Sequence, residues 1–321
     1  MKKLIVILLI CFSSIAFAEQ SLIIEPNMGR TPLLNAINNA QYSIDLVIYG
    51  FTDKTLEDAL INAHKRGVIV NVILQNHPYK AHSENLPAYF HLRKNGVNVR
   101  WSNPEYNLTH QKTMLVDDKD AYIMTFNFTY DTFKSERNFA YKTEDTDTTQ
   151  NIKNVFDDDW LHQKTYPKGE ALVWSPNNSE SKLLSLINHA QNYIDVYAQS
   201  ISDYRFIGDL ERAARRGVDV TVLLPKKALA KEKNTLAYLC DNGVHVYLSN
   251  AYYIHAKGLL IDFPSDSQKA YIGSTNFTYT GLHNNRELGI IFTDFVAMQN
   301  FKHTFLSDLK MSDEFSQSTS R

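Results

Sequence analysis

Residues 255–262 read HAKGLLID and residues 110–117 read HQKTMLVD, so histidine, lysine and aspartate recur at the same spacing in both halves of the chain. Each stretch contains a short apolar run, which is typical of a buried strand. In an extended strand, residues i and i+2 point to the same face, so the histidine and lysine should project together. The two stretches are therefore predicted to be equivalent strands carrying equivalent polar groups.

A second polar block follows each stretch. Residues 273–276 read GSTN, and residues 124–127 read MTFN. The candidate ligand contacts in these blocks are the hydroxyl residues Thr125 and Ser274 and the amide residues Asn127 and Asn276. Gly273 has no side chain, which would allow a ligand to approach the backbone closely. Both blocks thus add neutral hydrogen-bonding groups near the histidine and lysine.

The repetition extends through most of the chain. Residues 31–74 align with residues 181–224 at an offset of 150, with 17 identities in 44 positions and no gap. Two long units are typical of two related domains rather than of a solenoid. The predicted organisation has an N-terminal domain at 19–165, a C-terminal domain at 166–311 and a mobile polar tail at 312–321.

Each half has the same predicted order of elements. In the first half, residues 31–41 form an amphipathic helix and residues 44–51 form an apolar strand. Asp53 can cap a second helix that ends at Gly67, and residues 68–74 form the next strand. Apolar strands separated by helices favour βαβ units. The predicted fold is α/β: two duplicated domains, each a mixed, parallel-rich β-sheet flanked by helices, related by a pseudo-twofold axis.

The first 18 residues read MKKLIVILLICFSSIAFA and have the layout of a secretory signal. Two lysines precede an apolar run, and small residues mark a cleavage site after Ala18. The run is shorter than the roughly 20 residues that span a bilayer, which favours a cleaved signal over a membrane anchor. We therefore expect the mature protein to be exported, either to the periplasm or as a secreted protein.

The composition excludes several classes of protein. The chain has 321 residues, which is room for two domains of ordinary size. It carries 33 lysines and arginines against 35 aspartates and glutamates, so it has no net positive charge that would attract polyanions. Its two cysteines, Cys11 and Cys240, exclude a disulfide scaffold and a cysteine-rich metal fold.

The repeated residues suit chemistry on a phosphate group. An imidazole beside an ammonium group is unfavourable unless an anion lies between them. A histidine can be a nucleophile or a general acid near neutral pH, and a lysine supplies a fixed positive charge for a phosphate oxygen. Two facing copies would bring His110, Lys112, His255 and Lys257 into one pocket. This predicts a phosphoryl-transfer centre in which one histidine attacks and the other protonates the leaving oxygen.

The two His-x-Lys-x4-Asp stretches, each with its following hydroxyl and asparagine residues, resemble the motifs of the phospholipase D superfamily. The resemblance covers essentially the whole mature chain, since the duplicated βαβ order also fits that family. It implies a phosphodiesterase that uses no metal and no cofactor. It further implies that both stretches contribute to a single site and that the reaction passes through a phosphohistidine.

The resemblance also implies roles for individual residues. His110 and His255 would be the nucleophile and the general acid, and family precedent favours His110 as the nucleophile. Asp117 and Asp262 would support the site from outside, and Glu287 fits the family's glutamate that orients a histidine. The residues that would hold the non-bridging phosphate oxygens are Lys112, Lys257, Asn127 and Asn276, assisted by Thr125 and Ser274.

Three positions depart from the family pattern. Met124 stands where the family usually has a glycine like Gly273, so we expect the first half-site to be more crowded than the second. Thr125 replaces a serine but keeps its hydroxyl. Asn138 stands where the first half would carry a glutamate, and its amide would support an imidazole without a charge.

The shared chemistry does not name the substrate. The favoured interpretation is a phospholipase D that cleaves phospholipid headgroups, by hydrolysis or transphosphatidylation, with peripheral membrane contact. One alternative is an exported endonuclease acting on nucleic acid, and another is an anion- or lipid-binding protein with a decayed site. Phosphatidyl transfer in cardiolipin synthesis is a further option, although it usually accompanies membrane-spanning segments. We infer no obligate protein partner.

Overall fold

The computed structural model describes residues 21–316, so the predicted leader lies outside the described residues. The first half contains strands β1 (Leu22–Glu25), β2 (Ser43–Ile48), β3 (Ile69–Leu74), β4 (Asn98–Trp101), β5 (Thr113–Val116), β6 (Asp120–Met124) and β7 (Glu136–Thr143). Its helices are α1 (Thr31–Asn39), α2 (Lys54–Lys65), α3 (Leu86–Lys94) and α4 (Thr146–Trp160). A short 3₁₀ turn at Asp131–Phe133 precedes β7.

The second half repeats this order. Its strands are β8 (Leu172–Ser175), β9 (Tyr193–Tyr197), β10 (Asp219–Pro225), β11 (His245–Ser249), β12 (Tyr253–Ile254), β13 (Gly258–Ile261), β14 (Lys269–Gly273), β15 (Glu287–Phe292) and β16 (Ser312–Glu314). Its helices are α5 (Ser179–His189), α6 (Tyr204–Arg215), α7 (Leu229–Asp241), α8 (Tyr279–His283) and α9 (Phe295–Leu309), with a 3₁₀ turn at Lys226–Ala228 before α7. The duplication seen in the sequence is thus a duplication of structure.

Each half is built on a mixed sheet. The first has the order β1-β7-β6-β5-β2-β3-β4, with β12 of the second half added beside β7. The second has the order β16-β11-β10-β9-β13-β14-β15-β8. Within each half, parallel pairing is confined to β2-β3-β4 and to β9-β10-β11, and β12 adds one parallel pair with β7 across the halves. The sheets are therefore mixed, as predicted, but not rich in parallel pairs, because only these strands are joined by helical crossovers.

Local sequence explains where the crossover helices begin and end. The Asp53 carboxylate accepts a hydrogen bond from the Leu56 N–H at the start of α2, as the sequence predicts. Its counterpart Asp203 accepts from two N–H groups at the start of α6. Gly67 follows α2 with φ of +98°, a conformation that a side chain would disfavour.

In the described residues, most of the core lies in three large apolar clusters. One lies between the first sheet and helices α1 to α3, and another lies between the second sheet and helices α5 to α7. The third joins residues of both sheets with helices α4 and α9, and it includes Phe139 from the first half and Tyr197 and Phe301 from the second. Because this cluster is shared, the two halves bury apolar surface against each other and are held in a fixed relation.

The end of the described chain differs from the prediction. Ser312–Glu314 form an edge strand that pairs antiparallel with β11, and Phe315 is buried. The tail from residue 312 is therefore not mobile as far as residue 315, because it continues the second sheet. In the part of the chain that the structure describes, no helix is both long and apolar enough to cross a membrane.

Candidate active site

The segments that carry the two histidines leave their own half and pair with the other. The N–H groups of His255 and of the next residue both donate to the Arg137 carbonyl, at 3.1 and 2.9 Å. The N–H groups of His110 and of the next residue both donate to the Arg286 carbonyl, at 2.9 and 3.0 Å. The prediction that each histidine lies within a regular strand is therefore wrong: β5 and β13 begin only after the lysines, because the preceding residues pair across the halves.

Two buried arginines anchor these crossings. Arg137 of the first half forms a bidentate pair with Asp308 of α9, at 2.6 and 2.9 Å. Arg286 of the second half bonds to Asp159 of α4, with Nη2 and Oδ1 at 3.1 Å. Each arginine is thus paired with the last helix of the opposite half. The carbonyls that fix the two histidine segments are held by the same interface that joins the halves.

The imidazoles of His110 and His255 also find their partners across the halves. His110 Nδ1 lies 2.9 Å from Glu287 Oε2, and His255 Nδ1 lies 3.0 Å from Asn138 Oδ1. Both histidines are buried, and both partners are fully buried. The structure therefore assembles the two predicted half-sites into one centre, and neither half alone contains a complete histidine pair.

These contacts fix which ring nitrogen is available for chemistry. Glu287 is an acceptor when ionised, and the Asn138 oxygen is an acceptor, so Nδ1 of each histidine carries the hydrogen. The Asn138 amide is oriented by its Nδ2, which donates to Glu136 Oε2 at 3.1 Å, and by the Thr125 hydroxyl, which donates to Oδ1 at 2.8 Å. The Nε2 atom of each imidazole is therefore the nitrogen left for a substrate.

The two triplets that contact the histidines have glutamate and asparagine in exchanged positions. Residues 285–287 read NRE, and residues 136–138 read ERN. In the second half, Asn285 Nδ2 donates to Glu287 Oε1 at 3.1 Å, and that carboxylate reaches a histidine directly. In the first half the Asn138 amide contacts the histidine, and the Glu136 carboxylate contacts only the amide. Sequence reasoning missed Glu136, although the reversed order of the two triplets was the signal.

Lys112 and Lys257 lie beneath the histidines. Each is fully buried, and each Nζ donates to the carbonyl of its own histidine at 2.5 Å. Burial lowers the pKa of Lys112 to about 7, although Glu287 opposes the shift. Burial and the neighbouring Lys112 also lower the pKa of Lys257 well below its usual value. The site is thus a cationic cluster that an anion would stabilise.

Burial beside the lysines also changes the pKa values of the two histidines. Burial lowers the pKa of His110 to about 4, and the Glu287 carboxylate limits the fall. Burial, reinforced by both lysines, lowers the pKa of His255 well below its ordinary value. The pKa of Glu287 is lowered because the adjacent His110 and Lys112 outweigh its burial. Both imidazoles are therefore neutral at pH 7.

The predicted hydroxyl and amide residues differ in their contacts. Ser274 Oγ accepts from the Leu288 N–H at 3.1 Å, and the Ser274 carbonyl lies 3.2 Å from His110 Nδ1. Asn127 Oδ1 accepts from the Gly50 N–H at 3.2 Å. Asn276 Oδ1 is buried and has no hydrogen-bond partner among the described residues. A polar atom of this kind is available to a ligand.

Gly273 and Met124 occupy equivalent positions but pack differently. A Cβ atom on Gly273 would lie 2.5 Å from the Cα of Gly289 and 2.6 Å from the hydroxyl oxygen of Tyr271. In the first half, Ala140 pairs with Met124 where Gly289 pairs with Gly273. The Met124 side chain is fully buried in the apolar core of its own half. We expected Met124 to crowd the first half-site, but its side chain packs in that core instead.

Asp117 and Asp262 do not join the histidines. Asp117 accepts from three consecutive N–H groups, those of residues 41–43, at 2.7 to 2.9 Å. Asp262 accepts from the equivalent N–H groups of residues 191–193. Each carboxylate thus fastens the far end of a central strand to the start of its neighbour. Their place in the repeat is explained by support of the fold, away from the reacting groups.

An aromatic residue that the sequence did not single out lines the site. The Tyr49 ring lies 4.7 Å from the His110 ring in an edge-to-face arrangement, and Lys112 Nζ lies 5.2 Å from the Tyr49 centroid. On the opposite side, the ring of Tyr253 lies 6.3 Å from that of His255. Tyr49 was missed because the repeat does not conserve it: the equivalent position holds Gln199, which donates to the Tyr253 hydroxyl.

Comparison with known proteins identifies the family to which the two halves belong. The family model described as "Cardiolipin synthase, PLD-like domain" matches twice, at residues 33–160 and 183–309. A cardiolipin synthase of Staphylococcus aureus (strain Mu50 / ATCC 700699) is 25% identical over 277 residues, covering 75% of this chain and 54% of that protein. Cardiolipin synthase 2 of Bacillus cereus is 23% identical, covering 88% of this chain and 63% of the relative. The matches thus span just over half the length of these curated relatives.

Solved structures support the fold. Phosphatidylserine synthase of Haemophilus influenzae Rd KW20 superimposes with a TM-score of 0.70 at 11% identity, over 93% of this chain and 88% of that one. Polyphosphate kinase of Porphyromonas gingivalis superimposes with a TM-score of 0.74 at 17% identity, over 92% of this chain and 48% of that one. The two family matches coincide with the two halves that share the histidine centre, and the chain therefore belongs to the phospholipase D superfamily.

Proposed function

We propose that this protein transfers the phosphatidyl group of a phospholipid to water or to an alcohol, through a covalent intermediate on His110. The observation that carries the proposal is the pair of buried lysines beneath two imidazoles whose Nδ1 atoms are fixed across the halves. A phosphodiester anion would supply the charge that this cluster lacks. The same anion would raise the pKa of the acid histidine, so that the protonated form exists only when substrate is present.

The first step breaks the headgroup bond. His110 Nε2 attacks phosphorus with its lone pair, while Glu287 stabilises the positive charge that develops on the ring. The bond from phosphorus to the headgroup oxygen breaks, and that oxygen takes the proton from His255 Nε2 and leaves as an alcohol. Lys112 and Lys257 neutralise the non-bridging oxygens as charge builds on them.

The second step releases the lipid. His255 Nε2, now unprotonated, takes a proton from water or from an incoming alcohol. The oxygen so activated attacks phosphorus, and the bond from phosphorus to His110 Nε2 breaks. Water gives phosphatidic acid, whereas an alcohol gives a new phosphodiester. The enzyme returns to its starting protonation state, and the chemistry calls on no group beyond the residues already described.

Similarity to lipid enzymes supports a lipid substrate. The curated relatives are cardiolipin synthases, and one structural neighbour is a phosphatidylserine synthase. Exposed aromatic residues lie on the first half beyond Tyr49, whose hydroxyl accepts from the Tyr79 N–H at 2.7 Å. Tyr79 and Phe90 are about two-thirds exposed. Rings of this kind suit peripheral contact with a membrane interface.

A side-by-side assay tests the proposal. Purified protein is given vesicles of phosphatidylcholine or phosphatidylglycerol with a primary alcohol in one arm, and single- and double-stranded DNA in the other. Both arms are run with and without EDTA, and His255→Ala is the control. We expect headgroup release and phosphatidyl-alcohol formation that EDTA does not abolish, and a loss of at least about 10²-fold in the control.

The other outcomes separate the alternatives. Cleavage of DNA without turnover of lipid would identify the chain as a nuclease. Absence of turnover in both arms, together with binding of vesicles or of a phosphate analogue, would favour a decayed site. An acid-labile phosphoryl adduct that is lost in His110→Ala supports the role given to His110, whereas an adduct lost only in His255→Ala would reverse the two roles.

Export belongs to the same proposal. We propose that the leader predicted at residues 1–18 directs the protein to the periplasm or outside the cell, where the outer faces of membranes would supply phospholipid. Fractionation of cells that produce the full chain tests this. Recovery of a shortened protein beginning at residue 19 in the periplasm or the medium supports export, and recovery of the unprocessed chain in the cytoplasm contradicts it.

A further inference from the structure

The two halves differ in charge at one pair of equivalent positions. At the offset of 150, Asp53 corresponds to Asp203, and Arg30 corresponds to Glu180. In the first half, Arg30 Nε donates to Asp53 Oδ2 at 2.7 Å, so the carboxylate that caps α2 has a positive partner. In the second half, a carboxylate stands where that arginine stands. The repeat has therefore replaced an ion pair by two like charges.

The second-half carboxylates each have an oxygen without a donor. Asp203 is 1% exposed, and its Oδ1 accepts from the N–H groups at the start of α6. Its Oδ2 is buried and has no hydrogen-bond partner among the described residues. The Oε1 atom of Glu180 is also buried and has no hydrogen-bond partner among the described residues. Buried carboxylate oxygens without donors are costly, and a cation bound between these two oxygens would remove that cost.

An imidazole completes the group. His283 Nε2 lies 3.3 Å from Glu180 Oε1, and one donor atom from each of His283, Glu180 and Asp203 lies within 4.8 Å of the others. Two ligands of a tetrahedral zinc ion, each at about 2.0–2.1 Å from the metal, are about 3.3 Å apart. The nitrogen and the oxygen are thus spaced as two ligands of one metal ion.

The geometry points to a divalent-cation site of the zinc class, formed by Glu180, Asp203 and His283, with water in the fourth position. Imidazole nitrogen beside carboxylate oxygen suits zinc rather than calcium or magnesium, which take oxygen ligands. Among the described residues, Arg205 also pairs with this cluster: its Nη1 lies 2.9 Å from Glu180 Oε2. That pair occupies the second oxygen of Glu180 and leaves Oε1 for the metal.

The ion would tie together three elements. Glu180 lies in the first turn of α5, Asp203 caps α6, and His283 ends α8. The chain leads from α8 to Glu287 in four residues, so the site would brace the segment that supports His110. Its role is structural and separate from the phosphoryl chemistry, just as Arg30 serves the fold in the first half.

Metal titration tests the site. The purified full chain is treated with EDTA, freed of chelator and titrated calorimetrically with ZnCl₂, CaCl₂ or MgCl₂, and its unfolding midpoint is recorded with each metal. We expect one Zn²⁺ equivalent that is absent in Glu180→Gln and in His283→Gln. A rise of several degrees in the unfolding midpoint should accompany it at a hundredfold excess over Kd, with a much smaller response to the other two metals.

Two further variants keep the result interpretable. Glu180→Arg recreates the pair found in the first half, so it should lose the Zn²⁺ equivalent while its metal-free midpoint stays at or above that of the wild type. His110→Ala removes an imidazole of the phosphoryl site and should keep the equivalent. Equal Zn²⁺ stoichiometry in the wild type and Glu180→Gln, or loss of the equivalent in His110→Ala alone, would overturn the assignment.

Discussion

At the scale of single residues, the site is asymmetric although the chain is duplicated. His110 has a carboxylate against Nδ1, whereas His255 has an amide backed by the carboxylate of Glu136. A carboxylate stabilises a positive imidazole directly, while an amide fixes its orientation and leaves its charge to the substrate. The exchange of two side chains between the triplets 136–138 and 285–287 thus gives equivalent histidines different electrostatic surroundings.

Replacing Glu287 by glutamine tests this asymmetry. The carboxylate opposes the fall in the pKa of His110, so Glu287→Gln should lower that pKa further and remove the charge that stabilises the intermediate. We expect kcat/KM to fall by about 10²-fold or more, with little change in the unfolding midpoint. The measurement is the pH dependence of kcat/KM on the substrate identified by the side-by-side assay.

Asn138→Glu is the matched change in the other half. It should raise the pKa of His255, so the limb of the pH profile that requires this histidine should move to higher pH. If Glu287→Gln and Asn138→Glu left the profile unchanged, the side chains against Nδ1 would have no electrostatic role, and the asymmetry would be one of packing alone.

At the scale of elements, the last helix of each half holds a strand of the other. Asp308 of α9 pairs with Arg137 and accepts from the Tyr197 hydroxyl at 2.6 Å. Asp308→Ala leaves a buried guanidinium and a buried hydroxyl without their acceptor, so we expect a loss of about 3–5 kcal/mol in the free energy of unfolding. Urea denaturation measures it.

Asp157→Ala is the control for that measurement. Asp157 is half exposed and pairs with Lys153 one helical turn away, so its removal should change the free energy of unfolding by no more than about 0.5 kcal/mol. A loss in Asp308→Ala as small as in this control would show that the interface between the halves does not depend on the arginine pair.

The anchoring aspartates make a separate prediction about pH. Three backbone N–H groups lower the pKa of Asp117 against the effect of burial. Its stabilising contribution is therefore complete above the unfolded pKa, near 4, and is lost as the pH falls through the lower folded value. Asp117→Asn should lower the unfolding midpoint at pH 7 and bring the two proteins together in acid. A difference that grows in acid would contradict this sign.

At the scale of the whole molecule, the sequence predicts the duplication and the convergence of the two motifs, since both follow from residues repeated at fixed spacing. It also predicts the α2 cap at Asp53 and the stop at Gly67, which depend on local chemistry alone. It does not predict that His110 and His255 leave their sheets, because those backbone bonds are made with the other half. The hydrogen bonds that Asp117 accepts from residues 41–43 and the burial of Met124 were hidden for the same reason: they depend on neighbours distant in sequence.

The cationic centre shared by the halves yields a prediction about anion binding. Lys112 has a pKa of about 7 in the free protein because it is buried without an anion, and the pKa of Lys257 is lowered as well. A bound oxyanion raises both values, so binding takes up protons and weakens as the pH rises above about 7. Tungstate keeps its charge over this range, and we expect its affinity to fall up to tenfold per pH unit for each lysine that takes up a proton on binding. Calorimetry in buffers of different ionisation enthalpy measures both the affinity and the proton uptake.

Lys112→Arg separates the contribution of one lysine. A guanidinium stays protonated throughout, so this variant should bind tungstate with a shallower dependence on pH and with less proton uptake than the wild type. Affinity that stays constant from pH 6 to 9 in the wild type would mean that both lysines are already charged without an anion. In that case the centre would bind phosphate with a fixed charge, and the lysines would take up no protons on binding.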